Sequence, residues 1–180
     1  GTGRYDIRGT GTQTAGLAWG GLQDPDATEH YDGSSWTSGG NLNTGRRGSG
    51  AAGTETAALG FGGYKPASPA GATNKTEAYN GTAWTELSAT MNITTISRGT
   101  GGTQTAALAA GSPPSFAGNT ELWDGTSWVS SASLGTSRYD LAGAGTTSAF
   151  LAFGGAPDTN ATEEFTPEST SLNLKTLTDS

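Results

Sequence analysis

Residues 53–63 read GTETAALGFGG, and residues 76–84 read TEAYNGTAW. The first is a brief apolar run closed by two glycines, the pattern of a short buried strand. The second alternates about Glu77 with the period of two that a strand requires. Asn80-Gly81 then marks a hairpin; a type I′ turn there needs positive φ at both central positions. Trp84 opens a further strand. With the Gly- and Ala-rich residues before Gly53, the unit reads as four short antiparallel strands.

The unit recurs. The first phrase returns as GTQTAGLAWGG at 11–21, GTQTAALAAGS at 102–112 and GTTSAFLAFGG at 145–155. Its four copies begin 42, 49 and 43 residues apart. The second phrase returns as TEHYDGSSW at 28–36, TELWDGTSW at 120–128 and a degenerate TEEFTPEST at 162–170. A third element, LNTGR at 42–46 and LGTSR at 134–138, precedes the first phrase, with MNITT at 91–95 in register. First strands are expected to run from Arg4, Arg46, Thr95 and Arg138 into the Gly-Thr pair. Four-stranded units repeated every 40–50 residues are the mark of a β-propeller. The expected fold is therefore all-β: a single domain over 1–180, four-bladed, with repeats 1–44, 45–93, 94–136 and 137–180. No segment keeps helical periodicity with caps. Because each repeat is whole, the ring is expected to close on itself, with Arg138–Ser180 packed beside Arg4–Thr44; the competing reading is the C-terminal part of a longer propeller, or half of an eight-bladed dimer.

Composition agrees. Of 180 residues 30 are Gly, and 14% are charged, too few for a charge-driven disordered chain that keeps 5 Trp, 5 Tyr and 5 Phe. The absence of Cys excludes disulfides, thiolate metal sites and a Cys nucleophile. A net charge of −7 argues against nonspecific nucleic-acid binding. No apolar run is long enough for a membrane span.

The Gly-Gly ending strand two, the aromatic in strand three and the Trp opening strand four resemble the kelch group of propellers. The wording around TEAYNGTAW, LNTGR and GTQTAALA, with the closing KTLTDS, is similar to kelch-like repeats of tailed-phage virion and tail-fibre proteins. That resemblance implies a non-enzymatic structural or adhesion module, exposed on a bacteriophage virion or otherwise extracellular. Its partners would be other virion proteins or a host-surface glycan or receptor, with several copies on one particle. The alternative is a lectin-like, carbohydrate-binding propeller of a secreted or cell-surface protein.

Little in the chain suggests catalysis. The one histidine, His30, has Ala78, Leu122 and Glu164 as counterparts, so the repeat does not call for it. No metal or cofactor site is expected. The recurring Glu29, Glu77, Glu121 and Glu163 are spread around a ring and read as inter-blade or strand-to-loop hydrogen-bonding residues. Trp36, Trp84 and Trp128 read as core between blades, and Gly20, Gly62 and Gly154 as structural repeat positions. Asp6 and Asp140 recur after Arg-Tyr, where an ion near the axis is conceivable. The loops between strands two and three vary most, and variable loops on a rigid scaffold carry recognition. The expected binding residues are Arg46, Tyr64, Lys65 and Phe116.

Overall fold

The computed structural model describes residues 3–66, 70–94, 96, 98–111, 118–157 and 160–166, and the backbone of 174–177. It contains four four-stranded antiparallel sheets, and no helix among the described residues. Blade 1 comprises β1 (Arg8–Thr12), β2 (Ala15–Trp19), β3 (Thr28–Tyr31) and β4 (Trp36–Ser38). Blade 2 comprises β5 (Gly50–Gly53), β6 (Ala58–Phe61), β9 (Lys75–Tyr79) and β10 (Trp84–Thr90). A two-stranded hairpin, β7 (Tyr64–Lys65) and β8 (Gly71–Ala72), stands in the loop between its middle strands. Blade 3 comprises β11 (Gly99–Gly102), β12 (Ala107–Ala110), β13 (Thr120–Trp123) and β14 (Trp128–Ser131). Blade 4 comprises β15 (Ala142–Thr146), β16 (Ala149–Phe153), β17 (Thr162–Phe165) and β18 (Leu174–Leu177). This is the expected four-bladed β-propeller.

Two turns explain the recurring phrases. In the Gly-Thr turn, Gly53 has φ +101, and a Cβ on it would lie 2.1 Å from the Ala57 carbonyl oxygen, so only Gly fits. The following Thr54 hydroxyl accepts from the Ala57 N–H at 3.2 Å, and Thr103 does the same for Ala106. In the Asp/Asn-Gly turn only the glycine has positive φ, at Gly33, Gly81 and Gly125. The type I′ expectation is thus corrected. The Asx residue works through its side chain: Asp32 Oδ1 accepts from the N–H groups of Ser34 and Ser35, both at 2.8 Å. Asn80 and Asp124 repeat the arrangement. A local side-chain acceptor replaces the second strained backbone position.

First strands begin later than expected, at Arg8, Gly50, Gly99 and Ala142 rather than at Arg4, Arg46, Thr95 and Arg138. They line the inside of the array, with β1 beside β5, β5 beside β11 and β11 beside β15. They approach closely: a Cβ on Gly101 would sit 2.6 Å from the Gly145 carbonyl oxygen. Three clusters fill the seams. Leu17, Trp19, Ala58, Tyr79 and Trp84 join blades 1 and 2. Leu59, Phe61, Ala107, Trp123 and Trp128 join blades 2 and 3. Leu108, Ala110, Phe150 and Phe165 join blades 3 and 4.

Among the described residues the expected closure is not seen. No packing like that between the other first strands joins β15 to β1. The consequence shows at Trp36, which is 52% exposed where Trp84 and Trp128 are 5% and 6%. Its expected place in a blade-to-blade core is therefore corrected: its ring lies against Tyr31 of the same blade, with centres 5.0 Å apart. Sequence repetition specifies each seam but not the rotation per blade, and that rotation decides whether the fourth blade reaches the first.

Candidate functional site

The most concentrated polar chemistry is a buried clamp repeated in each blade. Glu77 on β9 is fully enclosed. Its carboxylate accepts from the N–H groups of Asn43 at 2.8 Å and Thr44 at 3.1 Å, both in the connector from blade 1. It also accepts from Arg46 Nη2 at 2.6 Å. Arg46 donates onward to the carbonyls of Gly62 and Lys75, at 3.0 and 2.8 Å. One guanidinium thus ties the connector to both middle strands of its blade. Glu163 with Arg138 repeats the set, receiving the N–H groups of Gly135 and Thr136. Arg4 pairs with Glu29 in blade 1. The glutamates therefore hold strand to connector, as their spacing suggested.

Arg46 is corrected as a binding residue. It has no exposed surface, and burial pulls its guanidinium below the ordinary value while Glu77 opposes the shift. An enclosed, fully committed cation has no face for a ligand. Blade 3 holds a clamp that the phrase LNTGR did not reveal. Asn92 and Ile93 donate their N–H groups to Glu121, but the arginine is Arg98, three positions later than the LNTGR spacing predicts. Burial lowers its pKa too. The signal was available, since Arg98 is the only basic residue in that connector.

His30 is likewise absorbed into a seam. Its Nδ1 meets Glu55 on the first turn of blade 2, and its Nε2 meets Tyr79 Oη at 2.7 Å. Asp6 and Asp140 are turn residues with φ of 57 and 53, where blade 2 uses Gly48 at φ 56. Asp is among the few side chains that tolerate this region.

The variable-loop side presents a different group. Tyr64 and Lys65 form β7, half-buried. Tyr64 exchanges both backbone hydrogen bonds with Arg47, at 2.9 and 3.0 Å. The Arg47 guanidinium lies over the Tyr64 ring, 4.9 Å from its centre. Arg47 also pairs with Asp6 of blade 1 at 2.8 Å, and both side chains keep solvent access. Asp6, Arg47 and Tyr64 therefore share one patch across the first two blades, with Lys65 next to Tyr64 in β7. Tyr64 and Lys65 were expected there; Arg47 and Asp6 were not. The hint for Arg47 was the doublet Arg46-Arg47, where the first and fourth repeats read Arg-Tyr. Phe116 lies outside the described residues.

Among the described residues no three His, Asp or Glu side chains converge as a metal site would require. In comparisons with known proteins, no family model matches the chain and no curated protein matches it.

Proposed function

We propose that this chain is a non-enzymatic structural and adhesion module of a virion, a tail-fibre or capsid-exposed propeller of a tailed phage. Its kelch-like repeats would present a host-recognition surface, with a host glycan or receptor as the partner. One observation carries the reading. The side chains best equipped for chemistry, His30, the blade glutamates and their arginines, are committed to holding blades together. The patch of Asp6, Arg47 and Tyr64, with Lys65 next to it in β7, instead offers an aromatic ring and charges of both signs to solvent. Such a set suits hydrogen bonding to hydroxyl-rich ligands.

The test is adhesion of the labelled chain to candidate host cells and to a glycan array. The Tyr64→Ala/Lys65→Ala variant should lose binding while its circular dichroism stays unchanged. The Asp124→Asn variant, in a turn on the opposite side, should bind normally. Retained adhesion in the first variant refutes the assignment of the surface. Binding to glycans but to no bacterial cell would favour the secreted lectin-like reading.

A further inference from the structure

The first two seams follow one rule, and the two outer flanks are unmatched halves of a further seam of that kind. One blade offers the residue ending its second strand and the Thr opposite it, Trp19 and Thr28 in blade 1, Phe61 and Thr76 in blade 2. The next blade offers a small residue on its second strand and the Trp opening its fourth, Ala58 and Trp84 or Ala107 and Trp128. Trp84 packs edge-on against Trp19 with centres 5.1 Å apart, and Trp128 lies 4.7 Å from Phe61. Each indole N–H donates to the Thr hydroxyl at 2.9 Å. The third seam exchanges sizes, setting Ala110 with Phe150. Leu174 stands at the register position of the Trp there, a residue type without an indole N–H. The Thr120 hydroxyl is buried with no hydrogen-bond partner among the described residues.

The outward flank of blade 4 carries Phe153 and Thr162 at the Trp19 and Thr28 positions. Phe153 is 38% exposed where Trp19 and Phe61 are 0% and 1%. The outward flank of blade 1 carries Gly16 at the Ala58 position and the exposed Trp36. A large aromatic with Thr on one side, and a small residue with Trp on the other, is the pairing of the first two seams. The blade 1 flank holds a groove of about 410 Å³ beside β1, Gly16 and Trp36. A Cβ on Gly20 would strike the Arg46 carbonyl oxygen at 2.3 Å, whereas one on Gly154 would meet nothing within 4 Å. The polar positions also match. His30 faces Glu55 in the first seam, and their counterparts on the free flanks are Glu164 and Gln13. A Gln amide can donate to that carboxylate, where a second Glu would repel it.

We propose that the outward flank of blade 4 docks onto the outward flank of blade 1 of a second copy, so that two chains complete one eight-bladed ring. The contact continues the interface that the chain already makes twice. It is head-to-tail, and such contacts end only when a ring closes. Two copies of four blades give eight, within the usual range for propellers, whereas three would exceed it. This assembly is independent of what the loop side binds.

Light scattering on the eluting 180-residue chain should give twice 18.0 kDa. Trp36→Arg and Phe153→Arg, each at a position exposed in the single chain, should each give 18.0 kDa with unchanged circular dichroism. Because the chain has no Cys, Gln13→Cys and Glu164→Cys chains can be mixed and treated with a short bis-maleimide. The mixture should yield a covalent dimer that neither variant yields alone. A wild-type mass of 18.0 kDa, or one above a dimer, overturns the proposal. So does a dimer that survives both arginine substitutions, or one that the mixture fails to crosslink. A double-cysteine chain that crosslinks within itself would show a four-bladed ring instead.

Discussion

Removing Glu77 tests whether the buried clamp holds the connector to blade 2. Glu77→Ala deletes a carboxylate that accepts from Arg46, from two connector N–H groups and from Asn43 Nδ2 at 3.0 Å. It leaves Arg46 enclosed with only carbonyl partners. Breaking a buried ion pair by removing one partner costs about 3–5 kcal/mol. Orphaned buried donors cost roughly 1–3 kcal/mol each, partly recovered where water enters. We therefore expect a loss of about 4 kcal/mol, a large share of the roughly 5–15 kcal/mol typical of a domain. The cycle is completed by Arg46→Met and the double variant, which should cost less than the sum of the singles by at least about 1 kcal/mol. Urea unfolding followed by Trp fluorescence and by far-ultraviolet dichroism measures this, and coincident curves establish that one transition is being read. A loss below about 1 kcal/mol for Glu77→Ala, or strict additivity, would refute the clamp.

Trp84→Ala should cost roughly 3–5 kcal/mol, because it empties a packed seam and orphans the Thr28 hydroxyl. In a Phe153→Arg background, which keeps the chain single, Trp36→Ala should cost only about 0.5 kcal/mol; equal costs would contradict the open flank. Gly53→Ala should lower the melting temperature by several degrees, since φ +101 and a 2.1 Å approach to the Ala57 carbonyl admit no Cβ; an unchanged melt refutes the turn geometry. Asp32 and Asp124 are held below the usual carboxylate range, Asp32 chiefly by the Ser35 N–H and Asp124 chiefly by the Thr126 hydroxyl. A depressed folded-state pKa contributes stability above the unfolded value, near 3.9, that is lost as pH falls through the folded one. Carboxyl-carbon NMR should show both residues ionised below pH 4, and midpoints at or above the ordinary value would refute the turns.

The sequence by itself determined what is local. Gly-Thr and Asp/Asn-Gly turns, Gly-Gly strand ends and alternating apolar residues are set by steric and hydrogen-bonding rules within a few residues, so the four strands of each blade and their order were legible, while the added β7–β8 hairpin was not. The type of the Asx turn was not, because Asp32 and Asn80 act by a side-chain bond that leaves no mark beyond residue identity. Only tertiary structure assigned the arginines. Arg46 and Arg47 are adjacent, yet one is sealed against Glu77 and the other stacks in the open on Tyr64. Arg98 reaches its clamp from the residue just before β11, three positions beyond the place its counterparts hold in the repeat. The same limit explains Trp36 and Trp84, which occupy one place in the repeat and opposite environments. Each sequence unit carries both halves of a seam, but whether a half is covered depends on a neighbouring blade arriving. That is decided by the rotation accumulated across the array, a property of the assembled blades and of no single stretch of chain.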